Sequence, residues 1–349
     1  MNEILTDNLP HLNGRRRNEH KPFSITDHSG FLELALGGHW EQLHDRFFDF
    51  GKESASTGDG LSLQAHLWGF HFPIARHGSP SQKSKFSFRE ILGAHAVTEP
   101  EGGGNLGEIQ TRAKANEKGF SLSGEKCFVT NGTHANHALV YALLEEKLTV
   151  FIVALDSKGV SRVPLTDGLG MKEADLCDLV FDNVQIPDES VLGSVGSGPL
   201  LFQQGIALER AFVASMLSGR ISRIRETLSL QLRQKKINGA PALKNGMVQR
   251  RYTEVISHEH CSKLLARETA RNISASATWY SNAALAKLNA SESLVKTAQI
   301  ALELFGAREY FSKDGIQKEL RDAEASLFYS GTSDLLREFV ARTNPLANL

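Results

Sequence analysis

The spacing of apolar residues changes twice along this chain, and that change limits its fold more than any single motif does. Over about 29–92 the period is helical: Phe31, Leu32, Leu34, Ala35 and Leu36 form one apolar cluster and Leu61, Leu63, Leu67, Trp68 and Phe70 a second, with Gly and Ser residues at 54–60 between them. Over about 119–192 the texture becomes short β-like runs at 120–123, 127–130, 138–143, 149–154 and 179–181, bounded by Gly, Asn, Asp and Pro. From Pro199 onward the helical period returns: Leu294, Val295, Ala298, Ala301, Leu302 and Phe305 keep i, i+3, i+4, i+7 spacing, and Leu335, Leu336, Phe339 and Val340 repeat it after the N-cap residues Thr332 and Ser333. The expected class is α+β, with an N-terminal helical domain (1–92), a central antiparallel β-sheet or small β-barrel domain (93–195) and a C-terminal four-helix bundle (196–349). The middle zone lacks the alternation of strand and long helix that marks a doubly wound nucleotide fold.

Charge and composition remove several function classes. The 39 Lys and Arg against 40 Asp and Glu create no field that would draw nucleic acid or an anionic membrane. No apolar run approaches the roughly 20 residues that span a bilayer. The stretch 1–22 is polar, with Arg15-Arg16-Arg17 and no apolar segment behind it, so no secretory leader is expected and the triplet reads as a solvated tail. Cys127, Cys177 and Cys261 are odd in number and far apart, which fits a reducing, cytoplasmic setting. His66, His71 and His77, His134 and His137, and His258 and His260 match no metal-ligand spacing; buried or surface histidines are the expectation, with no metal.

The Gly-rich stretch Thr98-Glu99-Pro100-Glu101-Gly102-Gly103-Gly104-Asn105 lacks the Gly-Lys-Ser/Thr ending of a phosphate loop and by itself reads as a turn. Four stretches in register say more. They are Gly93 through Pro100 (GAHAVTEP) after Ser81-Gln82-Lys83; Gly124 through Asn131 (GEKCFVTN); Phe181 through Gly193 (FDNVQIPDESVLG); and Arg321-Asp322 followed by Tyr329-Ser330-Gly331-Thr332-Ser333-Asp334. In order and content they resemble the acyl-CoA dehydrogenase family, whose corresponding patterns are T-E-P-G-A-G-S-D, G-x-K-x-W/F-I-T-N, F-x-x-V-x-V-P-x-x-N-x-L-G and R-D-(x)6-Y-E-G-T-S.

The resemblance implies FAD as cofactor and an acyl thioester, on coenzyme A or an acyl carrier protein, as substrate. It assigns the flavin ring to Val97, Thr98 and Thr130, with Phe128 packed on it, and the cofactor's phosphates to the helix start at Thr332 and Asp334. At the family's subunit contact with FAD, Lys235 and Asn238 stand for an Arg and a Phe, and Glu303 through Ala307, with Gly306, stands for Q-I-F-G-G. Lysine offers a point charge there instead of a fork, and Glu303 puts an acid where a Gln is usual. On the substrate side the resemblance points to Gly104, where the family has Ser, and to Arg210 and Gly331. Thr98 falls earlier in the chain than in typical members, so an N-terminal helix is expected to be missing or shortened.

The largest departure concerns the base. Many members take the substrate's α-proton with the Glu of Y-E-G-T; Ser330 stands there, and a serine hydroxyl is far too weak for a carbon acid. A branch like isovaleryl-CoA dehydrogenase carries its glutamate on an earlier helix, directly before an arginine, and this sequence has Glu209-Arg210 there. Glu209 is therefore the expected base and Ser330 a backbone donor to the thioester carbonyl; the alternative is that Glu209 is a solvated helix carboxylate. The expected reaction is FAD-dependent α,β-dehydrogenation, with an electron-transfer flavoprotein or oxygen as acceptor, in a homodimer or homotetramer. Two alternatives stand beside it: a flavin monooxygenase or oxidase on the same fold, and a non-catalytic subunit of a hetero-oligomer.

Overall fold

The computed structural model describes residues 28–86, 90–102 and 105–343. Five helices open the described chain: α1 (Ser29–Leu36), α2 (Trp40–Glu53), α3 (Thr57–His66), then α4 (Phe72–His77) and α5 (Pro80–Lys85). Between α3 and α4 the helix widens into a π-turn over Leu67–His71 without breaking. Such a turn re-aims the side chains that follow and is common at functional sites. Ser56 starts α3 by accepting from Gly58 N at 2.9 Å, and every residue of α3 is buried.

A seven-stranded sheet follows: β1 (Gly93–Ala96), β2 (Arg112–Asn116), β3 (Gly119–Val129), β4 (His137–Leu144), β5 (Lys147–Ala154), β6 (Val160–Pro164) and β7 (Cys177–Ile186), in the order β1-β4-β2-β3-β7-β6 with β5 also on β4. The expectation of an antiparallel sheet is corrected here, because β4 pairs in parallel with both β1 (Gly93 opposite His137) and β2. β1 is Gly-Ala-His-Ala and β2 alternates Arg and Lys with Ala, so neither carries the β-branched or aromatic residues that mark a strand.

The C-terminal part consists of α6 (Gly198–Gln234), a short hairpin of β8 (Lys236–Ile237) and β9 (Ala240–Pro241), then α7 (Gly246–Asn272), α8 (Trp279–Phe305), α9 (Ala307–Tyr310), α10 (Ile316–Ala325) and α11 (Ser333–Thr343). Three long helices and three shorter ones thus stand, among the described residues, where four were expected. α6 is central and packs on α2, α3, α7 and α8. Its contact with α2 is a backbone approach that two glycines permit: a Cβ on Gly51 would fall 2.0 Å from Met216 O, and one on Gly219 would fall 2.0 Å from Phe48 O. The core around them is aromatic, with Phe31, Phe47, Trp68 and Phe212 almost fully buried and Trp68 stacked on Phe212 at 5.2 Å. Each such pair contributes about 0.5–1.5 kcal/mol beyond area burial. A second core fills the sheet.

Candidate active site

The turn after α10 brings two distant parts of the sequence together. Ser330 and Gly331 lie in the left-handed region, at φ 55° and 97°. For serine that conformation is uncommon and persists where surrounding contacts enforce it. Two buried cations do so. Arg210 Nε donates to Ser330 O at 2.9 Å, and Lys287 Nζ donates to Ser326 O at 2.8 Å and to Gly331 O at 2.9 Å. The hydroxyl of Ser330 donates to Glu209 Oε1 across 121 residues of sequence. The helix position and the turn position therefore face one another.

Glu209 is 8% exposed. Burial pushes its carboxyl above the ordinary range, while the Ser330 hydroxyl, Arg210 and Lys287 pull it back. Burial lowers the Lys287 ammonium to about 7, helped by repulsion from Arg210 and opposed by Glu209. A buried carboxylate of raised basicity, with a hydrogen-bond donor on it, can take a proton from a carbon acid in a dry site. The alternative of a solvated Glu209 is excluded by its burial.

The second wall is built by β1 and β3. Thr98 O, just past β1, accepts from Cys127 N at 2.7 Å, which sets Val97 and Thr98 beside Phe128 and Thr130. Glu99 anchors this segment: its carboxylate accepts from Gln110 N (2.6 Å), Thr111 N (3.0 Å), Thr111 Oγ1 (2.5 Å) and Lys126 Nζ (2.7 Å). Lys126 Nζ also donates to Val97 O at 3.0 Å. The register of β3 against β7 shifts between Lys126 and Val129. On that bulge Phe128 takes φ 55° and is 66% exposed, with its N–H held by Asp178 Oδ1 at 3.0 Å. An exposed aromatic on strained backbone is a surface for a flat ring to lie on.

The Arg321-Asp322 pair ties the helical part to the sheet. Asp322 Oδ1 accepts from Met171 N at 2.8 Å, and Arg321 Nη1 donates to Leu169 O at 3.2 Å. The same loop returns Ala174 O to Asn131 N at 3.1 Å, and Asn131 Nδ2 donates to Ser62 O and Gly93 O. One chain of polar contacts thus joins α10, the loop before β7, the end of β3, and α3.

Beyond Gly331, Thr332 Oγ1 caps α11 by accepting from Leu335 N at 3.3 Å. A groove of about 540 Å³ opens here between α8 and α11, lined by Phe328, Thr332, Ser333, Asp334, Lys296 and Arg337 among others. Among the described residues Ser333 Oγ is buried without a hydrogen-bond partner. Arg337 is already paired with Glu292 and Asp334 in this groove; the unpaired hydroxyl at a helix start, with Lys296 of α8 also lining the groove, suits a phosphate.

Other expected residues lie elsewhere. Lys235 Nζ is engaged by Leu304 O at 2.7 Å, at the end of α8 next to Gly306, whose φ is 86°. That end is 18 residues from Lys287, about 27 Å along the helix, so within one chain Lys235 and Gly306 stand apart from Glu209. Glu303 pairs with Arg251 at 2.5 Å. Gly104 lies outside the described residues. Sequence reasoning missed Lys287. Its signal was present: it falls on the stripe Ala283, Lys287, Ala290, Leu294, where every other member is apolar and buried.

Two family profiles match, "Acyl-CoA dehydrogenase, middle domain" over residues 94–184 and "Acyl-CoA dehydrogenase, C-terminal domain" over residues 196–344. Mitochondrial isovaleryl-CoA dehydrogenase of Oryza sativa subsp. japonica is 29% identical over 297 residues, covering 82% of this chain and 73% of that one. The crystal structure of the prolyl acyl carrier protein oxidase AnaB superposes with a TM-score of 0.83 at 25% identity, covering 91% of each chain. The FAD complex of PigA superposes with a TM-score of 0.81 at 24% identity, covering 89% of this chain and 82% of that one, which speaks for the fold.

Proposed function

Because this chain belongs to the acyl-CoA dehydrogenase family, we propose that it removes hydrogen from the α- and β-carbons of an acyl thioester, with FAD as cofactor. The observation that carries this reading is the hydrogen bond from Ser330 to Glu209. It supports a relocated base, since a carboxylate on α6 points into the turn that in other members carries the glutamate.

Glu209 takes the α-proton. Burial raises its basicity, and the Ser330 hydroxyl steadies the ionised form. Arg210 and Lys287 hold the carbonyls of Ser330, Gly331 and Ser326, so the turn keeps its left-handed conformation and presents the Ser330 N–H to the thioester carbonyl. Val97, Thr98, Phe128 and Thr130 would hold the flavin ring, and Thr332 with Ser333 its phosphates; the exposed Phe128 ring and the unpaired Ser333 hydroxyl support that fit. Bound FAD supplies the acceptor for the β-hydride. Lys235 and Gly306, remote from Glu209 in one chain, are left for a neighbouring subunit's cofactor in a homo-oligomer.

Among the described residues no helix is long and apolar enough to cross a membrane, and three free cysteines agree with a cytoplasmic setting. A carrier-protein-bound acyl group with oxygen as acceptor is the second reading, favoured by the 91% mutual coverage with AnaB. Anaerobic addition of a panel of acyl thioesters, on coenzyme A and on pantetheine, tests the proposal: bleaching of bound flavin is expected. Flavin that stays oxidised with every thioester, while the protein reduced by another donor rapidly consumes oxygen, refutes it.

A further inference from the structure

The buried face of α3 carries a side chain that the fold leaves incomplete. Gln64 is fully buried, and among the described residues neither its Oε1 nor its Nε2 has a hydrogen-bond partner. Burying an amide that way without a partner is unfavourable, so leucine would serve better if the position only packed. The direction of Gln64 follows from its neighbours one turn away. At Gly60 a Cβ would strike Met216 Sδ at 2.0 Å, and Trp68 stacks on Phe212; a Cβ on Gly205 would come 3.4 Å from Trp68 O. Gly205, Glu209, Phe212 and Met216 are spaced i, i+4, i+7, i+11 and share one face of α6. Gln64 lies between Gly60 and Trp68 on the strip of α3 that faces them. The other sides of α3 are accounted for: Ser62 and His66 bond Asn131 and Gly93, and Leu63 and Leu67 enter the helical core.

Two more polar atoms in this layer lack partners among the described residues, Trp68 Nε1 and the Tyr329 hydroxyl. Tyr329 precedes Ser330 and packs against the cluster that holds Leu61 of α3. We infer that Gln64, with Trp68 Nε1 and the Tyr329 hydroxyl, selects an acyl group that carries a hydrogen-bonding heteroatom beyond its β-carbon, over a plain hydrocarbon chain. This inference rests on the dehydrogenation reading above. An amide with one acceptor and two donors complements a carbamoyl, hydroxyl or amino group. A hydrocarbon entering the same space leaves the amide, the indole N–H and the phenol unpaired, and sites built to hydrogen-bond reject such analogues strongly.

The test uses the FAD-loaded enzyme and two pantetheine thioesters of equal heavy-atom count, 3-carbamoylpropionyl and 4-methylpentanoyl, which differ only in carbamoyl against isopropyl. The rate of anaerobic flavin reduction gives kcat/KM for each. Wild type is expected to favour the carbamoyl substrate by about tenfold or more, and Gln64→Leu to lower that ratio by about tenfold or more, at unchanged FAD content. A wild-type preference for 4-methylpentanoyl, or a ratio that Gln64→Leu leaves unchanged, overturns the inference; the wild-type ratio decides even if the variant fails to fold. Bleaching by either thioester keeps the dehydrogenase reading whichever way the ratio falls. Bleaching by neither, while other acyl thioesters bleach the flavin, overturns the inference alone. If no thioester bleaches it, both fall.

Discussion

Replacing Lys126 by Met should unsettle the flavin wall at a cost that the contacts allow to be worked out. Its ammonium is buried and meets Glu99 at 2.7 Å and Val97 O at 3.0 Å. Burial lowers it to about 8, with Glu99 holding it up. Burial also pushes the Glu99 carboxyl up, but Lys126, Thr111 and Gln110 bring it below its ordinary value, so the pair is ionised at neutral pH. Breaking a buried ion pair from one side costs about 3–5 kcal/mol, because the surviving charge stays in the interior. Glu99 keeps three other donors, from Gln110 N, Thr111 N and Thr111 Oγ1, so the lower end, about 3 kcal/mol, applies. At roughly 2 °C per kcal/mol for a chain of this size, the apparent Tm falls by about 6 °C. Removing both charges, as Lys126→Met with Glu99→Leu, should recover part of the loss. Thermal unfolding followed by circular dichroism, with FAD content read in the visible spectrum, measures both effects. A single variant within about 1 kcal/mol of wild type, or a double variant less stable than the single one, refutes the reasoning.

Four further expectations can be checked with the same protein. The rate of flavin reduction should rise with pH through the raised pKa of Glu209, since only the ionised carboxylate accepts a proton; Ser330→Ala removes a group that lowers this pKa and should move the limb to higher pH, as a stopped-flow pH profile would show. Lys287→Met should slow flavin reduction by about tenfold or more, because a turn displaced by even an ångström costs catalysis heavily. The same variant should flatten stability against pH. The native Lys287 pKa of about 7 lies below the unfolded value, so between the two the unfolded state binds more protons and wild-type stability rises with pH. Phe128→Gly should leave folding stability unchanged or slightly raised, since an exposed ring at φ 55° is lost, yet it should weaken FAD retention on gel filtration.

The order helices, sheet, helices was legible because apolar period is a local property, and the cap at Thr332 was legible for the same reason. The strands β1, β2 and β6 were not, since Gly-Ala-His-Ala and Arg-Ala-Lys-Ala-Asn become strands only through partners elsewhere in the sheet. Glu209 and Ser330 were found by resemblance, one as a gain and the other as a loss; that they touch is a fact of the fold, as 121 residues separate them. The exposure of Phe128 depends on a register shift against β7 that no run of β-formers announces. Lys287 and Gln64 each interrupt an apolar helix stripe, which is visible in the sequence, but their partners, or lack of them, required the packing of α3, α6 and α8.

The central claim is that a carboxylate on α6 does the work that other members give to the turn. Anaerobic stopped-flow bleaching by a substrate thioester in Glu209→Gln, at wild-type FAD content, tests it most directly. A loss of at least about 100-fold in rate is predicted, with partial recovery when Ser330→Glu is added, because the two side chains meet. Bleaching in Glu209→Gln at the wild-type rate would contradict it.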